Sequence, residues 1–135
     1  MMNRPMTRPL PVTDMDTKPY WDYCKQHELR VQKCLKCGQI YSPPSYICPH
    51  CMNIGSEWVK LSGKGKVYSF VIVRRQYHPM LPPPYVVAII ELEEGIRMLS
   101  NVVECKPEDV KIDMPVTVVW DDASPEISMP KFKPA

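Results

Sequence analysis

The sequence predicts a mainly-β chain in which a short helix and a four-cysteine ribbon precede a five-stranded barrel. Three observations carry this expectation. Cys34-Leu-Lys-Cys37 and Cys48-Pro-His-Cys51 repeat a Cys-x-x-Cys unit in close succession. Downstream of Cys51 the chain becomes a series of short runs rich in Val, Ile, Tyr and Phe, separated by Gly and Pro. Helical spacing of apolar residues occurs just upstream of the cysteines, over residues 19–29.

The cysteines come first because their chemistry is the most specific. Each Cys-x-x-Cys can bend into a knuckle that points two thiolates at one centre, and two knuckles supply four ligands for a tetrahedral zinc ion. Gly38 follows the first pair, where the backbone must turn sharply, and Pro49 suits the tight turn of the second. Cys34, Cys37, Cys48 and Cys51 are the predicted ligands. Four thiolates close the coordination shell, so the metal is expected to serve the fold and not catalysis. Disulfides are the competing reading. The charged, proline-rich start has no apolar signal core and predicts a soluble, cytoplasmic chain, where disulfides are disfavoured.

With 135 residues and 44% hydrophobic composition the chain can bury one modest core. Its formal net charge of +2, from 17 basic and 15 acidic residues, lacks the basic excess of most nucleic-acid-binding proteins. In order, residues 1–30 form an extended arm and a helix, with Asp16 or Thr17 as N-cap and Pro19 in the first turn. Tyr20, Tyr23, Cys24 and His27 share one helix face. Residues 31–56 are the ribbon, 57–121 the barrel and 122–135 a proline-rich tail. The barrel strands are expected at residues 57–61, 66–76, 85–92, 96–103 and 115–120, with a helical turn at Pro107-Glu108-Asp109. In the long second strand Tyr68, Phe70 and Ile72 are expected on one face and Val67, Val71 and Val73 on the other, as in a strand buried on both sides. This pattern suits an OB-type barrel, and a five-stranded SH3-like barrel fits it nearly as well.

Groups able to do chemistry are scattered. The acid pairs Glu93-Glu94 and Asp121-Asp122 lie at strand ends, His78 in a proline-rich loop, and His50 inside a knuckle. Lys106 beside Cys105 is a feature that lowers a thiol's pKa, but no His or helix N-terminus stands by to activate it. Lys64, Lys66, Arg74 and Arg75 are candidates for contacting the phosphates of a ligand. The loop from Tyr77 to Pro84, with Met80, Leu81 and three consecutive prolines, offers a stiff apolar surface. A nucleic-acid module, with Tyr68, Phe70 and Tyr85 stacking bases, is the alternative reading.

Several of these segments together resemble a known family. Pro19-Tyr20-Trp21, Cys34-Leu-Lys-Cys37-Gly38, Pro43-Pro44, Cys48-Pro-His-Cys51, Gly63-Lys-Gly65-Lys-Val67-Tyr68-Ser69-Phe70, Pro84-Tyr85-Val86-Val87-Ala88 and the closing Met129-Pro130-Lys131-Phe132-Lys133-Pro134 are its markers. The chain is similar to the zinc-ribbon/OB-fold proteins, formerly a domain of unknown function, that assemble with thiolase-type acyl-CoA enzymes. One position departs: Ser45 stands where the family commonly has a basic residue. The resemblance implies a rubredoxin-like ribbon ahead of an OB-fold. It also implies an accessory subunit, not catalytic by itself, of an acyl-CoA acyltransferase (thiolase) complex that cleaves or condenses a β-ketoacyl-CoA. The CoA thioester would be shared with the thiolase-like partner in a hetero-oligomer, its phosphates met by Lys64, Lys66, Arg74 and Arg75. On this reading Phe132 in the tail and Trp21 on the helix are expected to anchor the neighbouring subunit, with packing back onto the barrel the alternative for both.

Overall fold

The computed structural model describes residues 9–135. The first eight residues of the expected arm lie outside that range. Helix α1 spans Lys18–Lys25 with Thr17 as its N-cap residue, but the capping bonds come from further back. Asp14 Oδ1 accepts from the backbone N–H groups of Asp16 and Thr17 and from the Thr17 hydroxyl. These bonds, the Thr17 N–H first, hold the Asp14 carboxyl below the usual range. The helix ends earlier than the spacing predicts because His27 adopts φ 60°, a left-handed stop, and the Glu28 N–H returns to the Tyr23 carbonyl.

Strand β1 (Arg30–Cys34) lies between β2 (Ile40–Tyr41) and β3 (Ser56–Lys60) in a three-stranded antiparallel sheet. A closed barrel follows, in the order β4-β5-β6-β8-β7, built from Lys64–Val73, Tyr85–Leu92, Arg97–Val102, Met129–Pro134 and Pro115–Asp121 respectively. Its closure is that of a five-stranded OB-fold. A 3-10 turn at Pro107–Asp109 precedes β7. Two strands differ in place from the expectation. The strand foreseen as the first of the barrel is β3 and completes the ribbon sheet against β1. The segment read as a tail contains β8, inserted between β6 and β7.

Prolines disguise β8. Phe132 turns its carbonyl to β6, accepting from the Val103 N–H, and the Pro130 carbonyl accepts from Ser100 Oγ on the same side. Residues of equal parity share that side, so the missing N–H groups of Pro130 and Pro134 face β6. There the pairing is a single parallel match, Val102 with Phe132. Toward β7 the antiparallel ladder runs the whole strand. The Phe132 side chain is fully buried with Val67, Ile90 and Val116, so it anchors the barrel's own core and not a neighbouring subunit. Leu29, Val31 and Leu61 join that core from the ribbon side, making it continuous across both parts.

The long β4 is not buried on both faces. A bulge between Val67 and Ser69 resets its alternation, so Val67, Phe70 and Ile72 pack on the core while Tyr68 and Val71 are exposed. Gly65 pairs with Leu92 of β5 and Val116 of β7 together. A Cβ there would lie 2.5 Å from the Glu91 carbonyl oxygen, which is why glycine stands at the point where β4 serves both neighbours. Among the described residues no helix is long and apolar enough to cross a membrane.

Candidate metal centre

The two knuckles are near copies of one another. In the first, the Gly38 N–H bonds to the Cys34 carbonyl and the Cys34 N–H to the Gln39 carbonyl. In the second, the Met52 N–H bonds to the Cys48 carbonyl and the Cys48 N–H to the Asn53 carbonyl. Gly38 and Met52 occupy the same left-handed position, with φ 75° and 66°. Each knuckle also aims backbone N–H groups at a sulfur: Lys36 at Cys34 Sγ (3.4 Å) and His50 at Cys48 Sγ (3.4 Å).

All four Sγ atoms lie within 4.8 Å of one another. Cys34 and Cys51 are 3.5 Å apart and Cys37 and Cys48 3.7 Å. A tetrahedral zinc with Zn–S of about 2.3 Å requires sulfurs about 3.8 Å apart. Two of the pairs already stand near the spacing zinc demands, and the four thiols together suit a tetrahedral site. The backbone N–H of Cys37, then that of Lys36, and thiol contacts from Cys51 and Cys37 bring the Cys34 pKa down to about 6 against the effect of burial. Cys37 receives help from the Gln39 N–H, but burial and the thiols of Cys34, Cys51 and Cys48 outweigh it and push the pKa up to about 11. When bound, zinc supplies charge that keeps all four as thiolates and cross-links the knuckles. With four sulfurs no position is left for water.

A polar clamp that the residue pattern does not announce holds this centre. Gln32 is buried, donating from Nε2 to the Ser45 carbonyl (2.9 Å) and Ser56 Oγ (3.0 Å) and accepting the Ser45 N–H (2.8 Å). It thereby ties the loop before Cys48 to β1 and β3. Ser45 Oγ binds the backbone of Ile47, so at this position the serine serves the local turn.

The other candidate groups are mostly engaged in structure. Cys24 is pushed up to about 12 by burial, which outweighs its bond from Tyr20. Cys105 is raised, by burial and then by Asp109, opposite to the effect expected of Lys106. His78 Nδ1 accepts the Met80 N–H within its own loop. Glu93 and Glu94 both bind Ser62. Asp121 pairs with Lys131 at 3.1 Å. Asp122 Oδ1 accepts from Ser128 Oγ (2.6 Å) and meets His27 Nε2 (2.7 Å), contacts that lower its pKa in that order. The His27 ring also stacks on Trp120, pinning the end of α1 to the barrel. Trp21 is half-buried and packs edge-on against Tyr20.

Strand β4 separates the four basic candidates. Lys66 and Arg74 lie roughly 25 Å apart along an extended strand, so the lysines and arginines do not form one cluster. Lys64 and Lys66 line a shallow groove that also holds Glu91, Glu93 and Asp113, and Lys66 pairs with Asp113 at 3.5 Å. Arg74 and Arg75 follow the strand's far end, where Arg75 lies 5.8 Å over the Tyr77 ring. The adjoining loop lines a cavity of about 290 Å³ with Met80, Leu81, Tyr85, Val103 and Lys131. The three aromatics considered for base stacking do not form a platform, because Phe70 turns into the core.

Comparison with known proteins agrees with this architecture. Residues 21–52 match the profile of the ChsH2 rubredoxin-like zinc ribbon domain, and residues 58–121 that of the ChsH2 C-terminal OB-fold domain. A probable enoyl-CoA hydratase alpha subunit of Thermomonospora curvata is 38% identical over 95% of this chain, which spans 40% of that protein's length. A DUF35 domain-containing scaffold protein of Methanocaldococcus jannaschii is 43% identical over 74% of this chain and 73% of its own. The benzoylsuccinyl-CoA thiolase subunit BbsA of Thauera aromatica is 34% identical over 78% of this chain and 75% of its own. Among solved structures, a chain of the Ltp2-ChsH2(DUF35) aldolase superposes with a TM-score of 0.86 at 37% identity, covering 93% of this chain and 98% of that one. With its four-thiol ribbon leading into a closed five-stranded barrel, the chain belongs to the DUF35 family that includes ChsH2.

Proposed function

We propose that the chain is a zinc-stabilised, non-catalytic accessory subunit of a thiolase-type acyl-CoA enzyme. The partner carries the nucleophile and the acid/base groups. This chain holds the partner and helps it bind the CoA thioester while a β-ketoacyl-CoA is cleaved or formed. The observation that carries the reading is the likeness over nearly the whole fold to the DUF35 chain of an aldolase. A related thiolase subunit supports it, since thiolases and aldolases both make or break a C–C bond beside a carbonyl. The chain's own groups are consistent with it: the metal shell is closed, and burial holds the remaining thiols, Cys24 and Cys105, in the protonated form. Arg74 and Arg75 suit CoA phosphates better than Lys64 and Lys66, whose groove holds three carboxylates.

The test is to isolate the native protein from its own cells and identify its companion. A thiolase-like subunit is expected in stoichiometric amount, and thiolysis of acetoacetyl-CoA by added CoA should require both chains. A monomer with no acyl-CoA enzyme attached would overturn the proposal. So would tight, steeply salt-dependent binding of a labelled single-stranded oligonucleotide.

A further inference from the structure

We propose that the outer end of the zinc ribbon is a docking face, centred on Met52, for an uncharged apolar surface of the partner enzyme subunit. The inference rests on the accessory-subunit reading and names the face that makes the contact.

Three independent observations converge on it. The first is apolar exposure: Leu35 is 66% exposed, Tyr46 65%, Met52 72% and Ile54 57%. They sit on segments that adjoin one another. Ile47 bridges Ile54, and Leu35 donates its N–H to the Gly55 carbonyl and lays its Cδ1 beside Gly55. Single exposed apolar residues are ordinary, but several gathered on adjoining segments mark an interaction surface.

The second is backbone strain. Met52 holds the left-handed position that Gly38 fills in the twin knuckle. That conformation is strained for an L side chain, and glycine would relieve the strain. The fold thus keeps a methionine where glycine would be more stable and leaves its side chain in solvent. What the side chain does lies outside this chain, and a flexible thioether adapts well to a partner's surface.

The third is charge. All 15 acidic residues lie outside residues 33–56, where Lys33 and Lys36 are the charged side chains other than the thiolates. Zinc with four thiolates carries a net charge of 2−, which the two lysines offset. A face that is neutral and apolar has no attraction for phosphates or anionic headgroups. Its complement is the uncharged apolar centre of a protein interface.

Met52→Gly separates this role from a structural one. It should keep one zinc per chain and melt no lower than the wild type, because it relieves strain, while weakening the complex with the co-purified acyl-CoA subunit. Met52→Glu and Leu35→Glu should weaken it further, by about tenfold or more. Leu99→Glu, on the exposed outer wall of the barrel, should bind as wild type. In the complex, hydrogen exchange should slow at residues 46–47 and 52–54. If Met52→Glu and Leu35→Glu bind as wild type, the docking face is wrong and the accessory-subunit reading stands. If the wild type recruits no acyl-CoA subunit, both fail. Loss of self-association in these variants would assign the face to a second copy and overturn the enzyme as its occupant.

Discussion

Cys48→Ser is expected to abolish stoichiometric zinc binding and to unfold the two knuckles. Cys48 is fully buried, and the small core around it consists of Cys34, Tyr41 and Cys51. So few side chains cannot offset the entropy of ordering two knuckles, whereas a structural zinc contributes on the order of 10 kcal/mol in comparable small modules. The barrel has its own core around Phe132, Ile90 and Val116 and should retain its β-sheet signature. Elemental analysis with amide NMR would show zinc and ribbon dispersion lost together. A full equivalent of zinc in the variant, or iron in the wild type, would contradict the assignment.

Phe132→Ala should cost about 3–5 kcal/mol, the range for truncating a buried aromatic side chain. Total stabilities run to about 5–15 kcal/mol, so the variant is expected to be marginal. Phe132 is the largest fully buried side chain among the described residues and sits on the strand that closes the barrel. Urea unfolding followed by tryptophan emission measures the loss, since Trp120 packs against the same core. A change below about 1 kcal/mol would mean that Phe132 faces a partner after all. Removing residues 128–135 should prevent barrel closure altogether and not merely loosen a complex.

What the residues disclosed beforehand follows from how local each signal is. The metal centre was legible because a knuckle is a turn of fixed length, so ligand spacing and Gly38 report it directly. Strand β5 was legible as an unbroken apolar run with a hairpin at Glu93-Glu94-Gly95 behind it. The bulge after Val67 was not, because one extra residue reverses the inside and outside of everything beyond it. Strand β8 was hidden since Pro130 and Pro134 argue against a strand between two others, and only the sparse seam with β6 makes them acceptable. The Gln32 clamp left no mark at all: its partners Ser45 and Ser56 are 13 and 24 residues away. The separation of Lys64 and Lys66 from Arg74 and Arg75 required only strand length, once the strand between them was known to be continuous.

Because β8 follows every other strand in the chain yet lies between two of them, translation imposes an order on assembly. On the ribosome the ribbon can capture its metal soon after Cys51 emerges, through contacts that are close in sequence. The barrel must wait, with the inner faces of β4, β5 and β7 uncovered, until residues 129–134 leave the exit tunnel. Nascent chains arrested before residue 129 should therefore show zinc-dependent protection of the ribbon thiols from alkylation while their barrel segments remain open to protease. Protease resistance of the barrel at that length would reverse the order. Within this fold the metal module is thus complete before the barrel, which is built onto it.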